Sequence, residues 1–218
     1  MKPPAHEGEN VKTYVHPIRA EMRESFGCPD RPPSYEWGCV HGRFQPFHNG
    51  HLEYVVRAKA RCRRLLVGIT NPDPSRVQAE TSSPHRHEPE ANPFTYLERA
   101  LMIRDALLAV GLSPEEFLIV PFPIHAPELY RHYVSVDAVH FVRVYSDWER
   151  EKVRRLRSQG FVVEILDPGR EKEVSGVEVR HLIRSGLPWE HLVPDGALDV
   201  VRSALTTGRP PGEPATTT

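Results

Sequence analysis

Short apolar runs recur along this chain with longer amphipathic stretches between them, and that alternation leaves few folds open. The runs are Trp37–Val40, Leu65–Ile69, Phe117–Val120, Val139–Val144 and Phe161–Leu166. Runs of this kind, short and apolar throughout, suit strands buried on both faces. Between them the spacing predicts a helix from Asn49 to Cys62 and another carrying Leu97, Leu101, Ile103, Leu107 and Leu108 on one face. A charged helix from Trp148 to Ser158 is closed by Gly160, and two shorter helices are expected at Val177–Ser185 and Trp189–Leu205. Strands alternating with helices predict an α/β domain: a doubly wound, mostly parallel sheet with helices on both faces and ligands at the carboxyl ends of its strands.

The 218 residues are enough for one well-buried core and hence one site. Residues 1–36, rich in Pro and charge, read as an extended N-terminal arm. Residues 37–207 form the single domain, and the Pro/Thr-rich stretch 208–218 reads as a disordered tail. With 28 basic and 29 acidic residues the chain has no global field for nucleic acid or an anionic membrane, so anion binding must be local. Cys28, Cys39 and Cys62 are far apart with no paired spacing, which predicts neither a zinc site nor a disulfide framework and fits a reducing cytoplasm. Met1–Asn10 lacks a signal-peptide apolar core, and no run reaches the roughly 18 apolar residues that span a bilayer. Whether the chain assembles with copies of itself is left open.

Chemistry concentrates first at His41-Gly42-Arg43-Phe44-Gln45-Pro46-Phe47-His48-Asn49-Gly50-His51, where a strand gives way to a helix. Gly42 lets the backbone approach a ligand, and the free amides and dipole of the helix starting near Asn49 face an anion. His48 and His51 are three apart, so they project to a similar side and both can donate to phosphate oxygens. Arg43 adds a planar, permanently charged fork. Late in the chain Ser175 reads as a helix N-cap, with Arg180 projecting from the first turns toward whatever the cap faces. The Asn71–Asn92 loop gathers Arg76, His85, Arg86 and His87, either as a closing lid for a small anion or as a solvated loop. Asp147 and Trp148 either read a base, through a carboxylate and a stacking ring, or cap and pack a helix. His85-Arg86-His87-Glu88 is too weakly spaced to predict a metal site.

The Gly42–His51 string resembles the GRFQPFHxGH motif of archaeal-type nicotinamide-nucleotide adenylyltransferases, in the HIGH-motif nucleotidyltransferase superfamily. Asn92-Pro93-Phe94-Thr95-Tyr96-Leu97-Glu98-Arg99 is similar to that family's NPFTxxER segment, and Ser175-Gly176-Val177-Glu178-Val179-Arg180 to its SGTEIR segment. The resemblance spans most of residues 38–203 and implies a Rossmann-like domain. It places Gly42, Phe44, Gln45, Gly50, Ser175 and Gly176 at the nucleotide, with His48, His51, Arg43 and Arg180 acting on its phosphates. Asn92 and Arg99 fall to the acceptor side. No nucleophile is paired with a base, so the expected reaction is direct in-line attack on the α-phosphate, with Mg2+ carried on the nucleoside triphosphate.

The segments expected to choose substrates depart from those adenylyltransferases. Pro123 and Pro127 stand where the family has an Asp and an Asn that hold the nicotinamide nucleotide. Ile69-Thr70-Asn71-Pro72-Asp73 replaces IGSAQ and puts Thr70 and Asn71 at the acceptor, while Tyr145-Ser146-Asp147-Trp148 replaces SGNP. In combination these segments resemble the cytidylyltransferases of phosphonate natural-product and antibiotic pathways. That resemblance implies CTP and a small phosphonate as substrates. ATP with nicotinamide mononucleotide is the first alternative, and a non-catalytic nucleotide-binding regulator the second.

Overall fold

The computed structural model describes residues 20–26, 28, 32–76, 88–166 and 174–206. Five parallel strands form one sheet in the order β3-β2-β1-β4-β5: β1 (Tyr35–Gly42), β2 (Cys62–Thr70), β3 (Phe117–Phe122), β4 (Val139–Val142) and β5 (Val163–Ile165). The apolar runs become the strands: in the central β2 and β4 the runs Leu65–Ile69 and Val139–Val142 are buried throughout, as parallel strands covered on both faces are, while Leu118 of β3 and Ile165 of β5 on the edges stay about half exposed. Cys39 lies opposite Leu66 on one side and His140 on the other, which puts β1 at the centre.

Helices α2 (Asn49–Lys59), α3 (Tyr96–Ala109) and α7 (Asp195–Thr206) bury Val55, Ile103 and Val201 with Val40, Val67 and Phe141 of the sheet. On the opposite face the short α4 (Tyr130–Tyr133) and α5 (Asp147–Ser158) pack Tyr130, Trp148 and Leu156 against Cys39, Leu66 and Val142. The sheet is therefore doubly wound, and the order reverses between β1 and β4, where the carboxyl ends of two neighbouring strands leave a crevice. Helix α6 (Gly176–Arg184) caps that end.

Several boundaries differ from those expected. β1 begins at Tyr35, inside the segment read as an arm, because pairing with Cys62 and Arg64 of β2 extends it past the apolar run. A short helix α1 (Ala20–Ser25) also lies in that segment, with Phe26 and Cys28 packed on the core. The expected helix Trp189–Leu205 is split into a 3-10 turn at Glu190–Leu192 and α7, because Pro194 pushes Val193 into extended backbone (φ −114, ψ 139). Within Asn71–Asn92 there are 3-10 turns at Pro74–Arg76 and Pro89–Ala91. His85, Arg86 and His87 lie outside the described residues, as does the tail 208–218.

Candidate active site

The chain leaves β1 at Gly42 and turns through Phe44, whose backbone is left-handed (φ 54) and whose ring is 1% exposed. A side chain on Gly42 would meet that ring at 2.8 Å, so the glycine also makes room for Phe44. Gln45 is buried, and its carboxamide pairs with the backbone of Phe94: Nε2 donates to the Phe94 carbonyl at 2.8 Å and Oε1 accepts from its N–H at 2.9 Å. The two segments Gly42–His51 and Asn92–Arg99 are thereby stitched together. His48 is the N-cap of α2, and its ring stacks on that of His51 with centroids 3.6 Å apart. The i, i+3 spacing on a first turn does put both imidazoles on one side.

Helix α6 points its own N-terminus at the same place. Ser175 caps it, its hydroxyl accepting from the Glu178 N–H at 3.2 Å while the Glu178 carboxylate accepts from the Ser175 N–H at 3.4 Å. Arg180 is 7% exposed and donates from Nη1 to the Gln45 carbonyl at 2.6 Å. Burial, and then the Arg184 charge, lower its pKa to about 10, which leaves it cationic at neutral pH. A Cβ on Gly176 would lie 2.9 Å from the Gln45 oxygen, and one on Gly50 3.6 Å from the Val174 oxygen. At position 176 a side chain would push the two helix starts apart, whereas the Gly50 contact is an ordinary van der Waals distance. Two helix N-termini, two imidazoles and a buried guanidinium converge at the carboxyl end of β1, an arrangement suited to a chain of phosphates.

A second group sits at the carboxyl end of β2. Thr70 is buried there, and Asn71 is left-handed (φ 50), with Oδ1 buried and making no hydrogen bond among the described residues. Arg43, expected to act on the phosphates, has its Nη1 on the side of this group instead, 3.4 Å from the Ala91 carbonyl and 3.5 Å from Asn92 Oδ1. Arg99, expected to contact the acceptor, is 2% exposed and gives its donors to main-chain carbonyls instead: Arg43, Thr70, Asn71 and Thr95, at 3.0, 2.8, 2.9 and 3.2 Å. The guanidinium holds the acceptor side together and does not face it.

Asp147 and Trp148 are not brought into either group by their side-chain contacts. Ser146 is the N-cap of α5, Asp147 is exposed and pairs with Arg150 at 2.7 Å, and Trp148 packs in the core with Arg155 over its ring at 5.3 Å. Arg76 ends its 3-10 turn, and Arg86 is outside the described residues.

Sequence reasoning passed over two features. Arg143, directly after β4, is 9% exposed at the β1/β4 crevice and ion-pairs with Glu53 of α2 at 3.0 Å; a cation placed right after an apolar strand was the available signal. The other is Cys39, His41 and His140, whose ligand atoms lie within 4.8 Å of one another on the sheet face under α5. His41 Nε2 and His140 Nδ1 share a hydrogen bond of 3.1 Å. Burial, then Lys152, lowers the His140 pKa to about 3 and also pushes His41 down, while burial pushes the Cys39 thiol up. Neutral imidazoles, a protonated thiol and a lysine charge make this a polar core cluster, and the same lysine opposes a cation there.

The chain matches the cytidylyltransferase-like family over residues 39–182. It is 49% identical to the phosphonoformate cytidylyltransferase of Streptomyces viridochromogenes over 165 residues, which covers 76% of this chain and 90% of that one. It is 33% identical to a nicotinamide-nucleotide adenylyltransferase of Thermoplasma acidophilum over 162 residues (73% of this chain, 82% of that one). Among solved structures, a bifunctional NMN adenylyltransferase/ADP ribose pyrophosphatase from Francisella tularensis superposes with a TM-score of 0.58 at 16% identity, covering 79% of this chain and 52% of that chain; it shares the fold.

Proposed function

The chain belongs to the cytidylyltransferase-like family and is a nucleotidyltransferase, and on that premise we propose that it transfers CMP from CTP to phosphonoformate or a similarly small phosphonate, releasing pyrophosphate. The observation that carries the reaction is the meeting of the α2 and α6 N-termini at Gln45, with Arg180 bonded across the junction at 2.6 Å. The acceptor follows from the 49% identity to a phosphonoformate cytidylyltransferase and from Pro123 and Pro127, which offer no polar side chain to a nicotinamide nucleotide.

An anionic oxygen of the phosphonate attacks the α-phosphorus in line; the bond from that phosphorus to the oxygen bridging the β-phosphate breaks, and the electron pair leaves on pyrophosphate. The attacking oxygen is already deprotonated, so no general base is needed. Mg2+ enters with the substrate as Mg·CTP, and the site supplies imidazole, guanidinium and amide donors suited to phosphate oxygens. His48, His51 and Arg180 stabilise charge growing on the α-phosphate and the leaving group. Thr70, Asn71, Arg43 and Asn92 meet the acceptor.

The test is a matrix of the four nucleoside triphosphates against phosphonoformate, phosphonoacetate, nicotinamide mononucleotide and nicotinate mononucleotide, read by pyrophosphate release. CTP with phosphonoformate is expected to have the highest kcat/KM. The identity of 33% to a nicotinamide-nucleotide adenylyltransferase makes ATP with nicotinamide mononucleotide the second reading. Equal or better turnover of that pair would replace the proposed substrates and leave the family standing. Nucleotide binding without pyrophosphate release under every acceptor would mark a regulator.

A further inference from the structure

Among the described residues only two non-glycine residues have left-handed backbones, Phe44 (φ 54) and Asn71 (φ 50). The first follows β1 and the second follows β2, the two strands whose carboxyl ends carry the phosphate and acceptor groups. A left-handed conformation is costly for a bulky aromatic and tolerated by Asn, and such residues persist only where their surroundings over-determine them. The angle φ of a residue is fixed by the peptide plane that precedes it. For Phe44 that plane carries the Arg43 carbonyl, and for Asn71 the Thr70 carbonyl. Arg99 Nη1 donates to both, at 3.0 and 2.8 Å, and Nη2 donates to the Asn71 carbonyl at 2.9 Å, so the plane after Asn71 is held as well. Nε is bonded at 3.2 Å to the Thr95 carbonyl, where α3 begins, which anchors the guanidinium to a helix.

We infer that Arg99 is a positioning residue for catalysis: a single buried guanidinium that pins both left-handed turns, and so sets the phosphate loop and the acceptor-side Asn71 relative to each other. The planar fork is what makes this possible, since it reaches four carbonyls from one rigid group, where a lysine ammonium has three donors on a compact head. The Asn71 side chain is thereby held in place on the acceptor side. A neutral core residue at position 99 would leave both turns free to relax.

The inference rests on the proposed function only in its kinetic arm, so its test has a structural arm as well. Crystal structures of Arg99→Lys and of Asn71→Ala, each as the full chain, read the backbone directly. In Arg99→Lys the Thr70–Asn71 plane is expected to rotate and φ at position 71 to turn negative. In Asn71→Ala, with Arg99 intact, φ is expected to stay positive although alanine tolerates it less, with Tm lowered by roughly 2–4 °C. If Arg99→Lys keeps both turns left-handed, or if Asn71→Ala relaxes, the clamp is wrong; should Arg99→Lys not fold, Asn71→Ala decides alone. In the kinetic arm, folded Arg99→Lys is expected to lose at least about tenfold in kcat/KM for phosphonoformate with Mg·CTP. Wild-type kcat and KM in that variant would refute a positioning role. A wild-type enzyme that does not use phosphonoformate would fail the substrate reading, while the two crystal structures still decide the clamp.

Discussion

His41 and His48 belong to one eleven-residue string, and the fold gives them opposite employment. His41 lies within β1, pairs its Nε2 with His140 at 3.1 Å, stacks on Phe122, and is held neutral by burial and by the Lys152 charge. His48 lies one turn of chain later at the N-cap of α2, stacked on His51 where two helix N-termini meet. The residue type is the same and both are almost wholly buried. What differs is the backbone around each: inside a strand every main-chain donor is used by the sheet, whereas a helix start leaves donors unused and adds a dipole field for anions. Chemistry therefore follows the helix start.

The sharpest way to break this contrast is to exchange the consequences. His48→Ala and His51→Ala are each expected to lower kcat by on the order of 10²–10³, with smaller effects on Mg·CTP binding, since their contacts strengthen as charge develops. His41→Leu is expected to leave kcat within about threefold, as a core substitution away from the phosphates. Steady-state kinetics on the three variants decides, and near-wild-type kcat in either His48→Ala or His51→Ala would undo the phosphate site.

A smaller effect is expected at the junction of the two helices. Arg180→Lys keeps the charge but cannot both bond the Gln45 carbonyl and grip phosphate oxygens bidentately, so kcat/KM should fall by about tenfold. Unchanged kinetics would remove Arg180 from the site.

Acid stability sharpens the other half of the comparison. His140, at about 3, and His41, also lowered, stay neutral in the native state while their unfolded-state pKa is 6.5. Their folded pKa values are depressed, so the unfolded chain binds the extra protons, and stability present above pH 6.5 is lost as pH falls from there toward 3. The slope is at most about 1.4 kcal/mol per pH unit for each histidine. Denaturant unfolding between pH 7 and 4 is expected to show a shallower loss in His140→Phe than in the wild type; parallel curves would mean the pair is not neutral in the core.

The smallest effect is expected at Ser175. Ser175→Ala removes the hydroxyl that accepts from Glu178 N–H, costing about 1 kcal/mol of stability and a few-fold of activity, measured by thermal unfolding and pyrophosphate release.

The strand and helix pattern was legible in the sequence because burial on both faces writes itself as short apolar runs, and the proposed phosphate group because its parts cluster within two contiguous segments. Ser175 and Arg180 were found in the same way; Ser175 caps α6, and Arg180 bonds the Gln45 carbonyl. Asp147 and Trp148 show where local reading runs out: neighbours in sequence, one is exposed beside Arg150 and the other is sealed under Arg155. Which way a side chain turns at a helix start depends on what the opposing face leaves uncovered.

By itself, then, the sequence determined the alternation of strands and helices and the parallel sheet, which rest on local periodicity, and it singled out the residues proposed to hold phosphate, which lie in contiguous motifs. Tertiary structure alone decided that Arg99 ties β1, β2 and α3 rather than meeting a substrate, and that His41 pairs with His140. Those contacts join residues 29 to 99 positions apart. No local pattern encodes them, because whether a guanidinium faces a ligand or a carbonyl depends on which carbonyls the assembled sheet leaves without a donor.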